Sequence, residues 1–311
     1  YERLRANLQT HELINMAHLG PRAFEEIGGE VVQTTAFVMQ NYHTKGYKGV
    51  YARLIEPTTQ QGKEEMFLAE TNRYTAQQDN FSKIPGAPVA YWATQMIYDA
   101  FSIGTLLNNI AQPKQGMVTR DNNRFIRLWW EPWFTKIEFV AYSHKDSLKS
   151  PKRWYPITAG GAFRKWYGNN ESVVNFQNDG KEIISFSGPH IKNRDFYFKE
   201  SITWSAISSS ILSMRYAPKG FLPEHAGNCL YCSSDMLCIL QALGNSCVGI
   251  YLMTFLSPTL NFNVGDIANM PVLVNSDQNI VIEIVEKLRL TSKLDWDSFE
   301  TSWDFKKHPM I

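Results

Sequence analysis

Lys114-Gln115-Gly116-Met117-Val118-Thr119-Arg120-Asp121-Asn122-Asn123-Arg124-Phe125 opens the stretch on which the reading of this chain turns. Trp129-Trp130, Lys152-Arg153-Trp154-Tyr155, Phe163-Arg164-Lys165-Trp166-Tyr167 and Lys192-Asn193-Arg194-Asp195-Phe196-Tyr197-Phe198-Lys199 continue it. From 113 to 219 there are 17 Lys and Arg against nine Asp and Glu, a balance of +8, while the whole chain is +1. Positive charge is therefore segregated into one region and interleaved with aromatic rings. That pairing suits nucleic acid, with cations for phosphates and flat or forked groups for bases. A solvated basic face over an aromatic core has the same composition, and composition alone leaves both open.

Outward from this stretch, 311 residues can form one large or two modest domains, each with a real core. Hydrophobic content of 44% and aromatic content of 13% describe a globular protein. The longest apolar run, Cys247 to Leu256, is about half of the ~20 residues that cross a bilayer. No membrane partner is expected. No basic-then-apolar leader opens the chain, and Tyr1 to Arg5 reads as the inside of a helix, so a piece of something longer is expected. Cys229, Cys232, Cys238 and Cys247 include one CxxC, but no second pair and only His225 nearby. Free thiols of a cytoplasmic protein are expected rather than zinc.

Before the basic stretch, a helix is read over residues 2–10 and an extended run over 11–19. A loop through Gly20-Pro21-Arg22-Ala23-Phe24 follows, then a strand from Glu30 to Met39, read as central, and a strand from Tyr47 to Ile55. Residues 57–62 read as a polar hinge, and 63–80 as a helix or as a strand followed by a helix. Phe81 to Pro88 is a proline-stiffened connector, and Tyr91 to Ser102 repeats at helical spacing. Within the basic stretch, Asn169-Asn170, Asn178-Asp179-Gly180 and Ser187-Gly188-Pro189 mark turns about ten residues apart, and a strand is read over 196–207. Beyond it lie a helix from Met236 to Leu243, buried structure from Val248 to Leu256, and a helix from Asn279 to Leu290; the end, from Trp296, reads as peripheral. Trp129, Trp130 and Trp204 read as core.

No G-x-x-x-x-G-K-[ST], G-x-G-x-x-G, H-E-x-x-H or G-x-S-x-G occurs, and the seven histidines are scattered. A restriction nuclease would need a PD…ExK-like carboxylate cluster, and none is convincing. From the residues alone the chain reads as a binding module with part of an α/β domain.

Two longer runs carry a resemblance. Gly20 to Val38 (GPRAFEEIGGEVVQTTAFV) resembles the late catalytic segment of adenine-specific DNA methyltransferases. Lys114 to Trp130 and Asn261-Phe262-Asn263-Val264-Gly265-Asp266-Ile267 with Met270-Pro271-Val272 look like their target-recognition domain. The likeness covers nearly the whole chain and is nearest to the PglX-type enzymes of type 1 BREX phage-defence systems. It implies adenine-N6 methylation with S-adenosyl-L-methionine by base flipping, and double-stranded DNA as partner. The implied fold is α+β with α/β character: the C-terminal part of a Rossmann-like sheet, then a mixed α+β recognition domain. The expected divisions are 1–56 catalytic, 57–112 helical connector, 113–275 recognition and 276–311 helical extension.

The family's Asn-Pro-Pro-Tyr acceptor motif and glycine-rich cofactor motif are both missing from these residues, so this stretch alone is expected to be inactive and to hold no cofactor motif. Phe24 matches the loop aromatic that stacks on the flipped adenine in such enzymes; otherwise it is a loop staple. Arg120, Asn122, Asn123 and Arg124 are the candidate base or backbone readers, against a plain Asx turn at Asp121 and Asn122. Lys152, Arg153, Arg164, Lys165, Lys192, Arg194 and Lys199 are the candidate phosphate contacts. The competing class is a non-catalytic interaction module, docking other BREX subunits or a DNA-mimicking phage inhibitor on the same basic face.

Overall fold

The computed structural model describes residues 2–24, 33–208, 210–257, 261–274 and 277–311. The chain divides into two compact units, Tyr1–Ile103 and Gly104–Ile311. It is mixed α+β, with four sheets among the described residues.

The first unit contains α1 (Glu2–Leu8), β1 (Glu12–Gly20), β2 (Thr34–Gln40), β3 (Lys48–Arg53), α2 (Gln60–Leu68), β4 (Arg73–Gln77) and α3 (Gln95–Ile103). Its sheet order is β2-β1-β3-β4. β1 and β3 are parallel; the β1–β2 and β3–β4 pairs are antiparallel. The β-branched run around Val38 suggested a central strand, but β2 lies at the edge of the described sheet, with Phe37 and Val38 exposed. β-Branching fits any pleated surface and does not report rank in the sheet. Residues 30–32 of that expected strand lie outside the described residues.

Residues 57–62 are only partly a hinge. Thr59 accepts a hydrogen bond from the Gly62 N–H and caps α2, which starts at Gln60. Lys63 is buried, and its ammonium donates to the carbonyls of Leu19 (2.7 Å) and Leu54 (2.8 Å). Burial pulls its pKa below the ordinary lysine value. After α2 the chain returns as β4, so the order is helix then strand, the reverse of the alternative read from the sequence. β4 pairs with β3, which joins residues 73–77 to the first sheet instead of to a separate connector. Tyr51 stacks on Tyr91 at 4.8 Å and meets the edge of Phe81, forming the centre of this core.

The second unit begins with β5 (Thr105–Leu106), β6 (Gln112–Lys114), α4 (Asn122–Phe125), β7 (Ile126–Leu128), α5 (His144–Lys149), β8 (Trp154–Thr158) and β9 (Ser172–Asn175). It continues through α6 (Gln177–Ser187), β10 (Ser201–Ser205), β11 (Met214–Ala217), β12 (Leu222–Pro223) and β13 (Gly227–Tyr231). It ends with α7 (Ser234–Asn245), α8 (Cys247–Leu256), α9 (Val264–Ala268), β14 (Pro271–Val272) and α10 (Gln278–Trp296). Two four-stranded sheets, β11-β10-β13-β6 and β12-β8-β9-β7, form its body, with a two-stranded β14-β5 pair.

One core cluster joins Tyr155, Phe176, Phe198, Phe125 and Met117. Another joins Ile137, Trp154 and Val173. Trp204 in β10 is wholly buried, Trp129 is half-buried and Trp130 is exposed, so the three tryptophans read as core do not share one role. Trp296, where a peripheral end was expected, is buried. Burial lifts the thiol of Cys229 above its ordinary pKa; Cys247 is exposed. No single helix among the described residues is long and apolar enough to cross a membrane.

Asn178-Asp179-Gly180 is more than a turn. All three take left-handed φ values, 52°, 57° and 74°, inside the segment that becomes α6. Asn, Asp and Gly are the residues that enter this region most readily. The kink aims Asp179 at His144 Nδ1 (2.5 Å) and at the Arg194 guanidinium. A Cβ on Gly180 would lie 2.4 Å from the Phe176 ring. Gly180→Ala is therefore expected to destabilise the second unit by about 2–4 kcal/mol, from the left-handed penalty and the forced repacking of Phe176. A urea titration checks this; a loss below about 1 kcal/mol would mean that the kink relaxes freely.

Candidate nucleic-acid interface

The loop from Thr119 to Arg124 is built as an Asx cap. Asp121 accepts from the Arg124 N–H at 3.0 Å and starts α4. Arg120 stands in a left-handed conformation (φ 63°) and bonds His190, while Asn122 is engaged by the Thr119 hydroxyl. Asn122 and Asn123 are exposed. The Asp121 half of the plain alternative is thus present, whereas the Asn122 side chain meets the Thr119 hydroxyl instead of its own backbone.

Arg124 and many of the candidate phosphate contacts are engaged within the protein. Arg124 pairs with Glu182 at 2.9 Å and packs on the Phe186 ring. That bond, outweighing a smaller burial effect and joined by one from Asn175, holds the Glu182 carboxyl below the usual range. Lys152 lies 3.6 Å from Glu138. Burial would raise the Glu138 pKa, but bonds from Ser150 and the Val140 N–H, with Lys152 beside it, bring it below the usual value. Arg164 pairs with Asp295 at 3.0 Å and covers the Trp296 ring. Lys165 donates to the Asn245 carbonyl at 2.7 Å, and Arg194 is held by Asp179. Arg153 reaches Glu182 only at 4.0 Å.

Lys192 and Lys199 are exposed and form no ion pair among the described residues. Lys199 shares the Phe196 ring with Lys114: the two ammonium groups lie 5.2 and 5.0 Å from its centroid. Lys114 was not among the candidate phosphate contacts; β13 beside β6 brings it there.

Sequence reading named Arg153 but missed the group it belongs to. Arg127, Lys136 and Arg153 line an open cleft of about 440 Å³ with Trp133 and Trp154. The Arg127 and Arg153 guanidinium carbons lie 5.7 and 5.3 Å from the Trp154 ring centroid. Arg127 is steadied by carbonyls, donating to those of Asn123 and Ile126. The signal available was the recurrence of Arg and Lys beside Trp across residues 127–154, but the spacing gives no convergence until β7, β8 and β9 pair.

Phe24 ends the Pro21–Phe24 turn of the first unit, half exposed, and the Gln60 amide donates to the preceding Ala23 carbonyl at 3.2 Å. Residues 25–32 of the resembling run lie outside the described residues. Among the described residues no group of three or more His, Cys, Asp or Glu is placed to hold a metal ion.

Comparison with known proteins finds a likeness to part of two adenine-specific methyltransferases. The chain is 41% identical to the adenine-specific methyltransferase PglX of Lacticaseibacillus casei (strain Zhang), over 327 residues. It is 38% identical to the adenine-specific methyltransferase BrxX of Escherichia coli O9:H4 (strain HS), over 321 residues. Both alignments take in 100% of this chain but 27% and 25% of the relatives' own lengths. Along its whole length the chain is therefore a homologue of part of the PglX and BrxX adenine-specific methyltransferases. No family model matches it. Among solved structures, the type IIG restriction endonuclease BpuSI aligns over 92% of this chain and 40% of its own, at 9% identity and a TM-score of 0.38, a likeness too weak to define the fold.

Proposed function

We propose that this chain is the C-terminal, DNA-engaging part of a site-specific adenine-N6 methyltransferase of a BREX phage-defence system. In this reading the second unit holds double-stranded DNA, and the full-length enzyme flips an adenine and methylates it from S-adenosyl-L-methionine. The observation that carries it is homology along this whole chain to about a quarter of two adenine-specific methyltransferases, joined to a basic stretch whose Lys114, Lys192, Lys199, Arg127 and Lys136 side chains stand outside the protein's own ion pairs among the described residues. The first unit then contributes to a Rossmann-like catalytic sheet, which the parallel β1–β3 pair supports. The acceptor and cofactor motifs fall outside these residues, so the chain alone is inactive.

Duplex binding measured across a salt series tests the reading. A linear fall of log K against log salt, with a slope near −0.9 for each phosphate contacted, is expected. No binding at low salt would overturn it. In the full-length enzyme, Phe24→Ala is expected to lower methylation about 5- to 100-fold while leaving duplex affinity within about twofold, because the extruded base loses its stacking partner. Unchanged turnover would remove Phe24 from the site.

A further inference from the structure

We infer that the cleft between Trp133 and Trp154 is a site for one unstacked nucleotide of a nucleic-acid strand, distinct in kind from a duplex-backbone contact. This rests on the reading of the second unit as DNA-engaging and gives one part of it a ligand.

Trp133 is 83% exposed, an unusual cost for so large an apolar ring. It sits between Pro132 and a short 3-10 turn, Phe134–Lys136, and Pro151 lines the same cleft. Trp154 is nearly buried and forms a wall, with the Arg127 and Arg153 guanidiniums against it. Lys136 lines the same cleft.

The charge is unbalanced. Arg127 and Lys136 form no ion pair among the described residues. The nearest carboxylate to Arg153 is Glu182, 4.0 Å away and already 2.9 Å from Arg124. Glu131 also lines the cleft, but its carboxylate accepts the Leu128 N–H at 2.6 Å. Three cations thus face one carboxylate that is partly satisfied by backbone.

Two guanidiniums and an ammonium beside a free indole face fit an anion attached to a flat ring. A nucleotide has that form: phosphate to Arg127, Arg153 and Lys136, base to Trp133. A base inside a duplex already has both faces covered by its neighbours, so it offers none to an indole. The occupant is therefore unpaired: an overhang, a displaced strand or an extruded base.

The test uses the whole chain with an eight-residue oligothymidylate, a blunt duplex and thymidine monophosphate as probes. Oligothymidylate is expected to quench tryptophan fluorescence on binding. Trp133→Ala is expected to weaken it about 5- to 100-fold, Trp133→Phe to retain most affinity, and both to leave duplex affinity within about twofold. Arg127→Ala with Arg153→Ala is expected to weaken oligothymidylate more than duplex. Trp133 is a surface side chain, and a thermal melt within about 2 °C of the parent confirms that the variant is folded. Duplex binding without oligothymidylate binding, or an unchanged oligothymidylate affinity in Trp133→Ala, overturns this inference and leaves the proposed function standing. Binding of neither nucleic acid overturns both. Thymidine monophosphate binding as tightly as the oligomer overturns the assignment to a strand.

Discussion

Replacing Trp204 with alanine is expected to cost the second unit about 3–5 kcal/mol, the range for removing a buried large aromatic. Trp204 stands in β10 between two antiparallel neighbours, opposite Met214 of β11 and Asn228 of β13. It is wholly buried, and its Nε1–H donates to the Phe262 carbonyl at 2.9 Å. The ring thus fills the core and ties the segment before α9 to the sheet, where the Phe262 N–H also reaches the Ala206 carbonyl. Trp204→Phe separates the two effects. It keeps most of the burial but leaves the Phe262 carbonyl without this donor, so about 1–3 kcal/mol is expected. Urea unfolding read by circular dichroism measures both variants. If alanine costs less than about 1 kcal/mol, the ring is not what joins these segments.

Removing Lys114, Lys192 and Lys199 together, as alanines, is expected to reduce the slope of log K against log salt by about 2 to 3 on duplex DNA. These ammonium groups are outside the protein's ion pairs among the described residues, and two of them share the Phe196 ring, so little of the fold depends on them. The contrast is Arg164→Ala with Lys165→Ala. Arg164 holds Asp295 and covers Trp296, and Lys165 caps the Asn245 carbonyl. Those two changes are expected to lower stability and hardly move the slope. An unchanged slope in the triple variant would take this patch out of the interface. A slope lost equally in both sets would mean that pairing inside the protein does not decide which cations meet phosphates.

The difference between the two sets marks what a sequence conveys. Segregation of charge into residues 113–219 is countable from the sequence, and so were α1, α3, α7, α10 and the strands at 12–20 and 48–53. Which cations are free was not legible. Arg164 is neutralised by Asp295, 131 positions away, and Arg194 by Asp179 through a left-handed kink. Local pattern likewise could not rank Trp130, Trp133 and Trp204, one buried in a sheet and two at the surface. The Trp133 cleft exists only once β7, β8 and β9 pair, so no motif within a short window encodes it.

The end of the chain has a consequence for how pieces of this protein are cut. The Trp129 Nε1–H donates to the Thr301 carbonyl at 2.9 Å, and the Trp303 ring lies 5.2 Å from Phe139 and 5.9 Å from Phe221. Ser302 is buried and bonds Asp297, which also holds Lys293. These few residues seal the wall behind Trp129 like a stopper. A fragment ending with α10 would keep every helix and strand assigned here, yet it would carry Phe139 and Phe221 as fresh surface. Loss of solubility in such a fragment would report the missing stopper and would say nothing about the DNA face.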